Sequence, residues 1–252
     1  MHNIRHEEIL KILERNGAVS VKALCEILYV SEATVRRDLA ELERMGALKR
    51  TFGGAVPIIN TKNQIPLFMR ESLDSDAKSL MCKAAAELVG EGDCIFADGS
   101  STVQYLAKHI ANIPNITVVT YSIKTAEIMC ENHIRTYCTG GLLMENSRVC
   151  VGQSAIDFAQ KVNFDICFIS CLGLNEDGRF TDTSAEETAV RRAFMNVSKT
   201  RAMLMTGNKI GKTYFHTLCD TSEIDYLFSD LPTPDWLKLR EPIKDRRILA
   251  KT

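Results

Sequence analysis

The chain has 252 residues, of which 45% are hydrophobic and 25% charged, and a formal net charge of −1 from 31 basic and 32 acidic side chains. That length holds one small domain and one of ordinary size, and the balanced charge confines any nucleic-acid contact to a local patch. No apolar run approaches the roughly 20 residues that span a bilayer, and the polar start from Met1 to Glu8 is not a secretory leader, so a cytoplasmic protein with no membrane partner is expected.

Ile9, Leu10 and Leu13 share one helical face, and Asn16-Gly17 stops that helix. Ser20 caps a second short helix with Ala23, Leu24, Ile27 and Leu28 expected inward. Tyr29-Val30 is a tight connection. Ser31 caps a third helix, whose Val35, Leu39 and Leu42 form a buried stripe. Thr34, Arg36, Arg37 and Glu41 fall on its outer side, and Gly46 ends it. Leu48 to Phe52 reads as a short strand and Gly53-Gly54 as a turn. Three short helices and a small basic ribbon make a winged helix-turn-helix, expected over residues 1–56. The third helix suits the major groove of double-stranded DNA. Its Ser31, Glu32, Thr34, Arg36 and Arg37 reach bases or phosphates, and Lys49, Arg50 and Thr51 on the wing hold the neighbouring backbone. A solvated helix with ordinary surface charge explains Arg36-Arg37 alone, but not the ordered combination.

The run Val30-Ser31-Glu32-Ala33-Thr34-Val35-Arg36-Arg37-Asp38-Leu39, then Leu42 to Arg50 and Gly53-Gly54-Ala55, resembles the DeoR family of bacterial regulators. Arg5 also fits that pattern, whereas Phe52 stands where the family usually has His. The resemblance implies that Asp38 orients an arginine and does not touch DNA, since phosphates repel a carboxylate.

Pro57, Asn60, Asn63 and Pro66 break any regular pattern, so residues 57–75 are expected to be a partly ordered linker. From Asp76 a helix runs to Val89, stopped by Gly90 and Gly92. Strands at 94–97, 116–120, 135–139, 166–170, 202–206 and 226–229 then alternate with helices at 103–110, 123–132, 154–162 and 185–198. This pattern predicts an α/β domain with a mainly parallel sheet over residues 76–252, with ligands beyond the carboxyl ends of its strands. One such end is Asp98-Gly99-Ser100-Ser101-Thr102, whose amides, hydroxyls and following helix suit a phosphate or other anion. A plain capping turn fits that loop equally well. Thr120, Gly140, Gly141 and Gly173 occupy similar positions, and Lys209 either charges the same pocket or is an ordinary exposed lysine.

The resemblance extends through Pro66 to Ser72 with Lys78, Phe96 to Thr102, Gly140-Gly141, Gly152, Asp165 with Phe168, Gly178 with Thr181, and Glu186-Glu187 ahead of Val190 to Ala193. It implies a sensor domain similar in fold to ribose-5-phosphate isomerase that responds to a small phosphorylated metabolite. On that basis Asp98, Gly99, Ser100, Ser101, Thr102, Thr120, Gly140, Gly141 and Lys209 are the effector-pocket candidates, with Glu187 a weaker one. The chain departs from the family at Leu142 to Glu145, where an arginine is common, and at Thr206-Gly207-Asn208, where Asp-x-Ser is common.

Sugar-phosphate isomerisation needs a positioned carboxylate base, and the isomerases that the resemblance brings in carry theirs at the end of a central strand. The corresponding Ser170-Cys171-Leu172-Gly173 carries none, so a sensor is expected and not an enzyme, the alternative being a sugar-phosphate isomerase-like enzyme fused to a DNA-binding domain with Glu187 as its base. Ser170 and Cys171 are read as packing residues, because no histidine is placed to activate them. Nine scattered cysteines, with no C-x-x-C, are expected to be buried free thiols, Cys167 and Cys171 sharing one face of a strand. No metal and no cofactor is expected. One small reading head rarely gives enough specificity, so a homodimer or homotetramer is expected on repeated half-sites. The tail from Leu231 reads as extended at Pro232, Pro234 and Pro242, with Trp236 packed on the domain and Arg246-Arg247 a solvated run.

Overall fold

A computed structural model describes residues 2–44, 47–57, 67–145 and 147–230. The chain forms two compact units, Met1–Leu73 and Asp74–Thr252. In the first, α1 (His2–Asn16) ends at Gly17, whose φ of 68° lies in the left-handed region. After it come β1 (Val19–Ser20), α2 (Val21–Leu28), α3 (Glu32–Arg44), β2 (Leu48–Thr51), β3 (Gly54–Pro57) and α4 (Leu67–Ser72). Ser20 caps α2 by accepting from the Ala23 amide at 3.1 Å, and Ser31 does the same for Thr34 at 3.3 Å. Tyr29, at φ 54°, turns the chain between α2 and α3. Ile9, Leu13, Leu24, Val35, Leu39, Leu42 and Leu48 make the core.

Two local expectations need correction. Ile27 is 46% exposed, and Val21 with Leu24 buries α2 instead. Gly54 opens a strand and does not complete a turn. β3 runs antiparallel between β1 and β2, and a Cβ on Gly54 would sit 2.0 Å from the Val19 carbonyl oxygen. Within the stretch read as a partly ordered linker, residues 67–72 form a short helix. Gly46, Asn60, Asn63, Pro66 and the tail from Leu231 lie outside the described residues.

The second unit starts with α5 (Ser75–Ala85), which tightens into a 3-10 turn at Ala86–Leu88. It continues through β4 (Cys94–Ala97), a 3-10 turn (Val103–Leu106), α6 (Ala107–Ile110), β5 (Thr117–Thr120), α7 (Ile123–Glu131) and β6 (Arg135–Cys138). A small hairpin, β7 (Leu142–Leu143) with β8 (Cys150–Val151), precedes α8 (Gln153–Ala159) and β9 (Phe164–Ile169). The last elements are β10 (Gly173–Leu174), β11 (Arg179–Asp182), α9 (Ala185–Asn196), β12 (Ser198–Leu204), β13 (His216–Asp220) and β14 (Tyr226–Phe228).

Six strands form one parallel sheet in the order β14-β12-β9-β4-β5-β6. Successive residues bury on opposite faces, as the two-residue period of a strand requires. Ile95, Val118, Ile166 and Phe168 pack with Met81, Leu106 and Met129 on one side. Phe96, Val119, Cys167 and Met203 pack with Ala155, Val190 and Phe194 on the other. There the Phe96 and Phe194 rings stack at 3.9 Å. β10, β11 and β13 form a separate antiparallel sheet that the sequence pattern did not predict.

Chain order runs outward from β4 in one direction through β5 and β6, and in the other through β9, β12 and β14. The direction of winding therefore reverses between β4 and β9, and a crevice opens beyond the carboxyl ends of strands at such a switch point.

Candidate functional site

The first candidate surface is the outer side of α3 with the β2–β3 ribbon. Ser31, Glu32, Arg36, Arg37, Lys49, Arg50 and Thr51 are exposed and Thr34 is half-buried. Arg36 donates to Glu32 one turn earlier at 3.2 Å, and Arg50 is held by the Glu43 carboxylate. That places the wing cation in a fixed position against the end of α3. Asp38 faces inward, fully buried, and accepts two hydrogen bonds from Arg5, with His6 at 3.4 Å. This fork ties α1 to α3 and thereby sets the orientation of the exposed helix face.

The second candidate site is the crevice at the β4/β9 switch point. Asp98 follows β4 and is 1% exposed. Its carboxylate accepts from the Ser100 amide at 2.9 Å and from the Ser170 amide, beyond β9, at 2.8 Å. It therefore staples the two diverging strand ends. Burial raises the Asp98 pKa, opposed by the charge of Arg191 and by the amide hydrogen bonds. Arg191, on α9, is also buried; it pairs with Asp182 at 2.9 Å and donates to the Ser170 carbonyl at 2.7 Å.

Two lysines reach the same pair of loops. Lys209 donates to the Ser170 hydroxyl at 3.1 Å, and Lys78, from α5, donates to the Ser101 hydroxyl at 3.2 Å. Asp74 and Asn208 join α5 to the turn that carries Lys209, at 3.0 Å. Ser170, Arg191, Asp182 and Lys78 were not among the expected site residues. Lys78 is 4% exposed, and nothing in an amphipathic helical pattern marks one lysine as facing inward.

The other expected effector residues divide. Ser101, Thr102 and Thr120 are buried, and the Thr120 hydroxyl accepts from the Ser122 amide. Gly99 serves packing: a Cβ there would lie 2.5 Å from the Val149 side chain and 3.1 Å from that of Ser122. Gly140 and Gly141 are exposed beyond β6, at φ 69° and 122°. Glu187 lies half-buried in the first turn of α9. One expectation fails in part. The Asp98–Thr102 loop leads into a 3-10 turn and a four-residue α6, not a long helix. The Ser100 carbonyl and hydroxyl already take the Gln104 and Val103 amides, so the Val103 amide is not left open at the start of this turn.

Cysteine expectations also change. Cys130 and Cys138 are exposed, and β9 ends at Ile169, before Cys171. Cys171 is buried, which pushes its thiol up to about 12 and leaves it protonated and inert. A surface hollow of about 480 Å³ lies elsewhere, between α9 and β13, and shares no residue with the crevice. No described helix is long and apolar enough to cross a membrane.

A winged reading head and an α/β unit with a polar crevice at its switch point define a DNA-binding transcription regulator with its own sensor. Residues 5–61 match the DeoR-like helix-turn-helix domain and residues 73–231 the DeoR C terminal sensor domain. The chain belongs to the DeoR family. It is 34% identical over 224 residues to the HTH-type transcriptional repressor GlcR of Bacillus subtilis, covering 88% of this chain and 86% of that protein. It is 31% identical to a lactose phosphotransferase system repressor of Staphylococcus epidermidis (90% and 91% covered). It is 30% identical to the L-fucose operon activator of Haemophilus influenzae (94% and 95% covered). Among solved structures, ribose 5 phosphate isomerase A from Neisseria gonorrhoeae aligns with a TM-score of 0.41 at 12% identity, over 56% of this chain and 54% of that one. The family assignment rests on the sequence matches.

Proposed function

We propose that the protein is a cytoplasmic, homo-oligomeric repressor of a carbohydrate-metabolism operon, released from double-stranded operator DNA by a small phosphorylated metabolite. The observation that carries this reading is the pair of lysines at the switch point. Lys78 and Lys209 bring two ammonium groups to serine hydroxyls on the two loops that Asp98 ties together. Cations and hydroxyls converging on a crevice are the chemistry of phosphate recognition. Ser31, Glu32, Thr34, Arg36, Arg37, Lys49, Arg50 and Thr51 form the DNA surface in this reading. Asp98 to Thr102, Thr120, Gly140, Gly141, Glu187 and Lys209 surround the effector, now joined by Lys78 and Ser170.

The same crevice binds without turnover in this reading. Asp98 is committed to two backbone amides and Asp182 to Arg191, so neither is poised as a base beside a sugar carbonyl. The sign of regulation follows the repressors among the relatives.

The test is fluorescence anisotropy of labelled DNA from upstream of the protein's own and neighbouring genes, titrated with a panel of phosphorylated sugars, with transcription from the same DNA measured in parallel. Specific binding relieved by one compound, with transcription rising, supports the proposal. Transcription that falls on release makes the protein an activator. Isomerisation of any panel member refutes the binding-only reading.

A further inference from the structure

The loop beyond β6 begins and ends on a cysteine. Cys138 is the last residue of β6 and is exposed; Cys150 is the first of β8 and is 5% exposed. Both ends of the loop are anchored to the end of β5. The Thr139 amide donates to the Thr120 carbonyl at 3.0 Å, and the Cys150 amide to the Tyr121 carbonyl at 2.6 Å. Within the loop Leu142 pairs with Val151 and Leu143 with Cys150. Gly141 permits the closure, since a Cβ there would lie 2.5 Å from the Val151 carbonyl oxygen. These bonds bring the two cysteines to neighbouring positions at the end of β5, Cys138 beside Thr120 and Cys150 beside Tyr121. Burial, together with the neighbouring Cys138 thiol, pushes the Cys150 thiol up.

Accessibility separates this pair from the other cysteines. Cys171 and Cys219 also influence one another, but both are buried. Cys130 is exposed, on α7. Among the described residues, Cys138 and Cys150 combine a thiol neighbour with a route to solvent. A reactive cysteine needs access first, and a resolving thiol beside it decides whether oxidation stops at a reversible stage.

We propose that Cys138 and Cys150 form a reversible intramolecular disulfide when the protein meets a peroxide. The Cys138 thiolate attacks one peroxide oxygen and the O–O bond breaks. With hydrogen peroxide this gives a sulfenic acid on Cys138 and, after proton uptake by the leaving hydroxide, one water. The Cys150 sulfur then attacks the Cys138 sulfur, the S–O bond breaks, and the Cys150 proton leaves with the hydroxide as a second water. Two thiols lose two electrons in all, and the peroxide gains them. A cytosolic thiol pool returns the pair to its reduced form. The bond closes the loop that holds Gly140 and Gly141. Its effect on effector response rests on the function proposed above; its formation does not.

The experiment treats the reduced full-length protein with hydrogen peroxide, then alkylates it and maps the peptides by mass spectrometry. We expect one cross-link, joining the Cys138 and Cys150 peptides, with loss of two hydrogens' mass and full reversal by dithiothreitol. Cys138→Ser and Cys150→Ser each abolish it, and Cys130→Ser leaves it intact. Since Cys138 is exposed, its serine variant keeps the fold and serves as the decisive control, checked by circular dichroism. Cys138 found as a sulfinic acid while Cys150 is still alkylated would overturn the proposal, as would a cross-link at any other pair.

Discussion

Asp38 and Asp98 are both buried carboxylates, and the fold moves them in opposite directions. Burial raises Asp38, but the hydrogen bonds and charge of Arg5, aided by His6, outweigh it and hold the group below its ordinary value. Its contribution to stability is therefore full above the unfolded-state pKa of about 4 and is lost as the pH falls through the lower folded value. For Asp98 burial wins, so the cost of its charge exists above the raised folded pKa and is relieved on acidification. Urea melts between about pH 3 and pH 7 should show an acid-labile transition that Asp38→Asn flattens. That variant should lose about 2–4 kcal/mol at neutral pH, because Arg5 and His6 are left facing a neutral amide. An unchanged profile would remove the Arg5–Asp38 fork as a structural tie. Arg191 depends in the same way on Asp182, with both side chains 4% exposed. Asp182→Ala should cost about 3–5 kcal/mol by stranding a buried guanidinium, read from the same melts.

At the level of elements, each candidate surface is a combination of pieces with separable effects. Arg37 lies exposed on α3, and Arg37→Ala should weaken operator binding by about 1–3 kcal/mol while leaving effector binding unchanged. Lys49→Ala, on the wing, should weaken binding to all DNA alike and reduce the salt slope by about one phosphate contact. Lys209→Ala should leave operator affinity intact and blunt the effector response in anisotropy; an unaltered response would take Lys209 out of the crevice. Much of this was legible in the sequence. Ser20 and Ser31 announce their helices because a hydroxyl one turn before an apolar stripe has a local job. The alternation of buried runs with amphipathic ones gives the parallel sheet for the same reason. β1, β7 and β10 are two residues each, too short for any period to register, while β3, β11 and β13, at four or five residues, were missed because their glycine, polar and charged residues give no apolar alternation. Lys78, Asp182 and Arg191 escaped because charged residues read as surface until a partner from a distant segment is placed beside them.

Across the whole molecule, the proposed function requires one protein to hold two ligands whose affinities are linked. An effector that shifts the protein away from its DNA-bound arrangement must itself bind more weakly when DNA is present, by the same factor. A finite, equal coupling is a stronger demand than release alone, since competition for the DNA surface would leave the operator complex with no effector affinity at all, and unfolding would leave no specific effector binding to measure. The measurement is the affinity of the relieving sugar phosphate for the protein alone and for its operator complex, by calorimetry, beside the operator affinity with and without the compound. A coupling of about 5- to 150-fold, equal in both directions, is expected, with Lys209→Ala weakening effector binding to both forms. An effector affinity that is the same with and without operator would contradict it.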